Sequence, residues 1–554
     1  MTLRAEATSG GRADSPELSE ALHGIASFGE KVFAIWLLLL FLSLSFILPS
    51  LRVNIFNSPD ETSNYIFTKS FAETGKLWYE KDYLYLDEEN LLHPRGVITQ
   101  NDRAVPYSFL GLPVIYGGLY RVLGDNLHYL ALGFAAVAAW ALFRATHILF
   151  KAKAWEAWVV GCAFTPLIYY LNRPFMNVTP LLVTLFVGIW LFARYYERSS
   201  RFDFVLAASA AALAIFFRYE YVLFVTPLML WALYMKHSSL TSRAYLADVS
   251  IFGGAVLLLF VLPTALLNQS TYGSWSTYGP GLFTETYFPE RVSSDGGSVM
   301  SALHSVRSLL LPSYPFNPMK VLQNIPRLTL WLMPVFTLVA VTGAWLLVTS
   351  RRVSIWKLAP LALLVVYVLV YRGSSSTWAS DWEAPTFEAA IVRYWLPVYV
   401  FLFFLAVYAL TRVSPQVKAV FIVGLLVTGP ASIYHFADGS LESGRDTLVS
   451  YQRAAQNQLS ATETNALIYA SLSDKWIAPY RDVATWWNGA EFYDPTVVAA
   501  SMARVSETGR PVYVFRESEV DINGLNRALA PYELEASWIG QSRLYEIEPT
   551  NKGD

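Results

Sequence analysis

Cysteine is nearly absent from this chain. Cys162 is the only one in 554 residues, so no disulfide can form within the chain, whichever compartment its loops face. Charge is also scarce: charged residues make up 15% of the sequence, against about 25% in an ordinary soluble chain. Neither sign dominates, and a net charge of -2 gives no reason to expect nucleic acid as a partner. The sequence has no P-loop, no GxSxG and no HExxH, which removes the common ATPase and hydrolase readings. It also lacks internal repeats and low-complexity tracts.

Apolar chain is what it has instead. Hydrophobic residues make up 54% of the sequence, and apolar runs of 16 to 24 residues recur from Lys31 to about His435. A run of about 18 or more with few charges is long enough to cross a bilayer core of about 30 Å. Spans are expected at about 31–51, 127–150, 154–171, 178–196, 203–218, 219–235, 248–267, 327–349, 354–371, 392–411 and 417–435. The segment 107–123 has an apolar core of only about 14 residues with Gly111, Pro113, Gly117 and Gly118 inside it, and reads as re-entrant or interfacial. The polar residues 1–30 read as a disordered cytoplasmic tail, and Val32 to Leu48 as an uncleaved first span.

Orientation follows from positive charge, because cytoplasmic loops are enriched in Lys and Arg. With the amino terminus inside, the inner loops hold Lys151, Lys153, Arg194, Arg198, Arg201, Lys236, Arg243, Arg351, Arg352, Lys357, Arg412 and Lys418, twelve in all. The short outer turns hold only Arg173, Arg218 and Arg372, with Arg393 at a rim. Counting 107–123 as a span would break the rule at every later loop. The outer material is then the loop 52–126, the turn 172–177, the loops 268–326 and 372–391, and everything after residue 435. In that tail, strand-like runs at 466–471, 512–515 and 542–548 alternate with helix-like ones at 497–507 and 521–530, which predicts a small α/β domain with a mixed sheet.

The first outer loop places Asp60 and Glu61 at the entrance of a helix predicted over Pro59 to Ala72. Acidic residues there suit capping, with Ser58 or Asp60 as N-cap, or they carry chemistry. A second acidic cluster, Asp87, Glu88 and Glu89, precedes His93-Pro94. Oxygen ligands of this kind suit Mg²⁺, Mn²⁺ or Ca²⁺, and a divalent cation, Mg²⁺ or Mn²⁺, is the cofactor they would take, although no compact ligand motif demands one. Arg218 and Glu220 flank a tight outer hairpin, where ionisable groups near membrane depth are functional suspects or simply pair with each other. Trp378 and Trp382, with Asp381, Glu383 and Glu388, combine aromatic faces and carboxylates suited to sugar, although tryptophan near a membrane is ordinarily a belt residue.

A carboxylate pair just after the first span, a long first outer loop, an acidic residue further along it and a nearby His-Pro together resemble the integral-membrane glycosyltransferases of the GT-C superfamily. The protein O-mannosyltransferase and aminoarabinose transferase group is the most similar. NQSTYGSWSTYG at 268–279, containing Tyr272, resembles that family's Asn-then-Tyr-Gly segment. RYWLP at 393–397 resembles its span entrance, and SDKWIAPYRDV at 473–483 falls near the tail. Two departures stand out: HPRG at 93–96 where mannosyltransferase-like relatives have His-Pro-Pro, and the turn NRPFMN at 172–177, which lacks the acidic residue many relatives carry.

The resemblance implies a polyprenyl-phosphate sugar donor held in membrane lipid and a glycan, lipid or protein acceptor, with the sugar moved, with inversion, at the outer face. Asp60, matching the family's first-loop acid, is the expected base. A second carboxylate beside an oxocarbenium-like transition state would help, with Glu88 the candidate and Asp87 and Glu89 the alternatives. An arginine at the rim would meet the leaving phosphate, and Arg393 is so placed unless it is a snorkelling anchor. Glu61, His93, Arg218, Glu220, Tyr272, Trp378, Trp382 and Tyr394 are the expected substrate-binding residues. The fold expected is mainly α: a polytopic helical membrane protein of about eleven spans, residues 31–435, with a small extracytoplasmic α/β domain at 436–554. A transporter or lipid flippase would usually show mid-span charges and matched halves, whereas here the mid-span positions are almost free of charge and the halves do not match; a non-catalytic envelope scaffold is the third alternative.

Overall fold

The computed structural model of the protein describes residues 16–47, 56, 58–171, 173–287, 317–350, 362, 365–366, 390–436, 457–486, 493–515, 521–539 and 544–550. The described chain is mainly helical, with one small sheet in the first loop and a larger one near the carboxyl end.

The helices follow the apolar runs. They are α1 (Pro16–Ile47), α2 (Pro59–Thr74), α3 (Gly111–Leu123), α4 (Leu130–Phe150), α5 (Ala154–Ala163), α6 (Thr165–Leu171), α7 (Val178–Arg198), α8 (Arg201–Phe217), α9 (Val222–His237), α10 (Arg243–Val256) and α11 (Leu262–Tyr272). Then come α12 (Gly279–Tyr287), α13 (Pro318–Pro326), α14 (Pro334–Thr349), α15 (Ala390–Tyr394), α16 (Leu396–Arg412) and α17 (Pro415–Phe436). Helix thus occupies most of each segment read as a span except 354–371, nearly all of which lies outside the described residues. Among the described residues, four helices are long and apolar enough to cross a membrane: Gly111–Phe150, Val178–Arg198, Arg243–Tyr272 and Pro415–Ile433. The pair Pro318–Trp331 and Pro334–Thr349, bent by 106°, makes a fifth if it counts as one span.

Three local departures from the expected pattern have physical causes. The segment 154–171 is two helices, broken at Phe164, just before Pro166, whose ring removes a backbone donor. The segment 107–123 gives the 13-residue α3, which packs on α2 and continues through a 3-10 helix at Gly124–Tyr129 into α4. Residues 16–30, read as tail, are the first half of α1, which begins at a proline in its first turn and propagates without a break into the apolar run.

In the first loop, β1 (Tyr79–Glu80), β2 (Val97–Gln100) and β3 (Arg103–Pro106) form an antiparallel sheet in the order β1-β3-β2. Near the carboxyl end, β4 (Leu467–Ala470), β5 (Asp482–Thr485), β6 (Val512–Phe515), β7 (Leu534–Trp538) and β8 (Leu544–Pro549) form a sheet ordered β5-β4-β6-β8-β7. β4 is parallel to both β5 and β6, while β8 is antiparallel to β6 and β7. The helices α18 (Asp474–Ile477), α19 (Pro495–Ser506) and α20 (Ile522–Leu529) complete this mixed α/β unit. β4 and β6 are buried along their whole length, as expected of central strands covered on both faces. This unit rests on the first loop: Thr485 N donates to Leu91 O at 2.8 Å, and the Tyr493 hydroxyl donates to Glu89 O at 3.1 Å.

Candidate active site

Helix α2 opens with a capping box. Ser58 Oγ accepts from Asp60 N at 3.3 Å, and Ser58 N donates to Glu61 Oε2 at 3.1 Å. The cap therefore uses Ser58 and Glu61. Glu61 is buried and also faces Arg173 from the turn before α7, with Nη1 to Oε2 at 3.3 Å. The Asp60 carboxylate is free of the cap and meets Arg393, whose Nη1 donates to Oδ2 at 2.6 Å across 333 residues of sequence.

Arg393 reaches Asp60 because its neighbours point elsewhere. Val392 and Trp395 are fully buried in the helical core, which turns Arg393 and Tyr394 toward the loop side. A second pair lies beside them. Helix α8 ends where Arg218 leaves helical geometry (φ -150°, ψ 102°), and Arg218 Nη2 pairs with Glu220 Oε1. The Arg218 guanidinium lies 5.1 Å from the Tyr394 ring centre and 5.6 Å from that of Phe109.

Together these groups line a cavity of about 210 Å³ that holds Asp60, Tyr107, Ser108, Phe109, Met176, Asn177, Val178, Arg218, Glu220, Pro280, Arg393 and Tyr394. Asn177 is fixed by donating to Ser108 Oγ at 2.9 Å and accepting from Asn64 Nδ2 at 3.3 Å. Pro280 follows Gly279, where a Cβ would stand 2.5 Å from Ser108 O and Tyr107 C, so only glycine permits this approach. Burial pushes the Tyr107 phenol pKa up, and the Asp60 carboxylate beside it pushes the same way; it stays a neutral hydroxyl. Arg218 and Arg393 each keep a buried Nε with no hydrogen-bond partner among the described residues. The cavity is thus lined by two carboxylates, the two guanidinium groups paired with them, and a phenol.

Of the residues expected at the site, Asp60, Arg218, Glu220, Arg393 and Tyr394 line this cavity. Glu88 does not: its side chain is 73% exposed and lies 3.8 Å from Arg504. Glu89 pairs with Arg504 as well, and Asp87 Oδ1 accepts from Leu91 N at 2.6 Å and Leu92 N at 2.8 Å. The second carboxylate that lines the cavity is that of Glu220. His93 is buried between Asn90 Oδ1 and Pro94 O, at 2.7 and 3.0 Å, and shapes the loop. Tyr272 does not line the cavity; it is buried and donates to Pro106 O at 2.7 Å. Trp378 and Trp382 lie outside the described residues. Tyr107, Ser108 and Asn177 are the polar residues that sequence reasoning missed; Asn177 sits in the outer turn noted for its missing acid. No group of three or more His, Cys, Asp or Glu able to hold a metal ion occurs among the described residues.

Compared with known proteins, the chain matches no protein-family model and no curated protein sequence.

Proposed function

We propose that this chain is a polytopic membrane glycosyltransferase that moves a sugar from a polyprenyl-phosphate donor to an acceptor hydroxyl at the extracytoplasmic face. The observation that carries this reading is the Asp60–Arg393 pair at 2.6 Å on a cavity that also holds Arg218 and Glu220. A base and a phosphate grip side by side are what the transfer needs. The acceptor oxygen attacks the anomeric carbon and its proton passes to the Asp60 carboxylate. The bond from that carbon to the phosphate oxygen breaks, and the electron pair leaves with the polyprenyl phosphate. Arg393 and Arg218 meet the charge with their guanidinium groups. In this scheme the phosphate competes with Asp60 for Arg393, so donor binding frees the base. Glu220 is the second carboxylate beside the oxocarbenium-like centre. Asp60 and Glu220 are each held by a guanidinium, a poor donor set for Mg²⁺ or Mn²⁺, and the scheme takes no step through a cation.

In this reading about eleven spans put the amino terminus in the cytoplasm, and the first loop, the cavity and the α/β unit outside, following the twelve inner positive charges. Reporter fusions at Ser350 and Ser460 are expected to report opposite sides; the same side for both removes this topology. The enzymatic test is purified protein in liposomes with radiolabelled polyprenyl-phosphate sugars and an envelope extract as acceptor. Transfer of label is expected. Binding of donor without transfer, from every sugar tried, would favour a transporter and sink the enzyme reading.

A further inference from the structure

The α/β unit docks on the first loop through two separate sets of contacts. One is peripheral: Arg504 pairs with Glu89, Arg510 Nη1 reaches Asp82 Oδ1 at 2.8 Å, and Lys81 reaches Asp482 at 3.1 Å. The other is buried and lies close to the cavity. Arg95 donates from its backbone N to Asp474 Oδ2 at 2.7 Å, from Nε to Oδ1 at 2.9 Å, and from Nη2 to Oδ1 at 2.6 Å and Leu472 O at 2.9 Å. Beside it, Thr62 Oγ1 donates to Lys475 O and Trp476 Nε1 to Phe56 O, both at 3.0 Å.

The glycine next to Arg95 extends the reach of this pair. Gly96 (φ +91°) sits so tightly on the entrance of α2 that a Cβ there would stand 2.7 Å from Ser63 Cβ and 3.0 Å from Pro59 O. Its carbonyl accepts from Ser63 Oγ at 2.7 Å and from Tyr107 N at 3.3 Å. One peptide unit therefore ties together the turn that carries Asp60 and the segment that carries Tyr107 and Ser108. The residue before it is clamped by Asp474. The Tyr107 phenol lies within electrostatic reach of both ion pairs, Asp60 with Arg393 and Arg95 with Asp474.

We propose that Asp474 is a positioning residue for the cavity: by holding Arg95 it fixes Gly96, and through Gly96 it sets Asp60 and Tyr107 relative to each other. The α/β unit is then a brace for the reacting groups. An isolated ion pair on a surface contributes little, but a buried, multiply bonded one fixes geometry, and a displacement of about 1 Å at a reacting group can cost about 100-fold in rate.

The test compares the full-length protein with Asp474→Asn and Arg504→Gln, with Arg95→Lys as a milder variant that keeps the charge and loses the fork. Hydrogen exchange is the readout that needs no activity. Amides of residues 59–64 and 104–108 are expected to exchange about tenfold faster in Asp474→Asn, somewhat faster in Arg95→Lys, and as in wild type in Arg504→Gln. The kinetic readout rests on the transferase reading above: kcat is expected to fall about 10- to 100-fold, with donor KM within about threefold. If Asp474→Asn fails to fold, Arg95→Lys decides. Unchanged exchange at 59–64 overturns the positioning role whether or not the wild-type protein transfers sugar. So does faster exchange with kcat intact, or a raised KM with unchanged kcat. A wild-type protein that transfers no sugar but shows the expected exchange pattern overturns the transferase reading alone.

Discussion

At the start of α2, Asp60 reaches away from its own helix to an arginine 333 residues further along the chain, whereas later in the same loop Asp87 turns inward onto the backbone just after it. Each belongs to an acidic run. In the first run the backbone donors at the helix start are served by Ser58 and Glu61, so one carboxylate remains for the cavity. In the second, Asp87 serves Leu91 N, Leu92 N and the Thr99 hydroxyl, and Glu88 and Glu89 face Arg504. A carboxylate becomes available for chemistry when its neighbours meet the local needs of the backbone.

Three substitutions sharpen that contrast. Asp60→Asn keeps the shape and removes the proposed base, and transfer is expected to fall by about 10² to 10⁴ with the melting temperature little changed; full activity in a folded variant would reduce Asp60 to an ion-pair partner. Asp87→Ala is expected to act on stability, because it strands two backbone N–H groups and a hydroxyl, at a cost of about 1–3 kcal/mol. Denaturant titration measures this, and the folded fraction should keep its rate. Glu88→Gln is the smallest change: with the side chain mostly in solvent, a shift within about 0.5 kcal/mol and unaltered kcat are expected. A loss of activity there would restore Glu88 as the second carboxylate and displace Glu220.

The helices were readable because apolar runs are long and helix needs only local bonds. Their breaks were less so, and Phe164 just before Pro166 marks one that a hydropathy window averages away. The tail strands β4, β6 and β8 were visible as apolar or alternating runs. β5 and β7 were not, since DVAT and LEASW are short and mixed, and it is pairing with β4 and β8 that makes them strands. At the site, charged residues beside spans announced themselves: Asp60, Arg218, Glu220 and Arg393 were named from sequence, and Tyr394 from its motif. Tyr107, Ser108 and Asn177 gave no signal, because an uncharged polar residue in a loop looks the same whether it faces a cavity or water. Acidity alone also said nothing of direction: Glu88 faces solvent, whereas Glu220 lines the cavity. HPRG, a departure from the family's pattern, and SDKW, part of the resemblance, are halves of one contact.

Open α/β sheets commonly take their ligands just beyond the carboxyl ends of parallel strands. In this protein that position after β4 is filled by Arg95, seated on Leu472 O and Asp474. The unit carries its ligand on the same chain, so the site's occupancy is independent of protein concentration. Because both parts lie on one chain, dilution does not separate them.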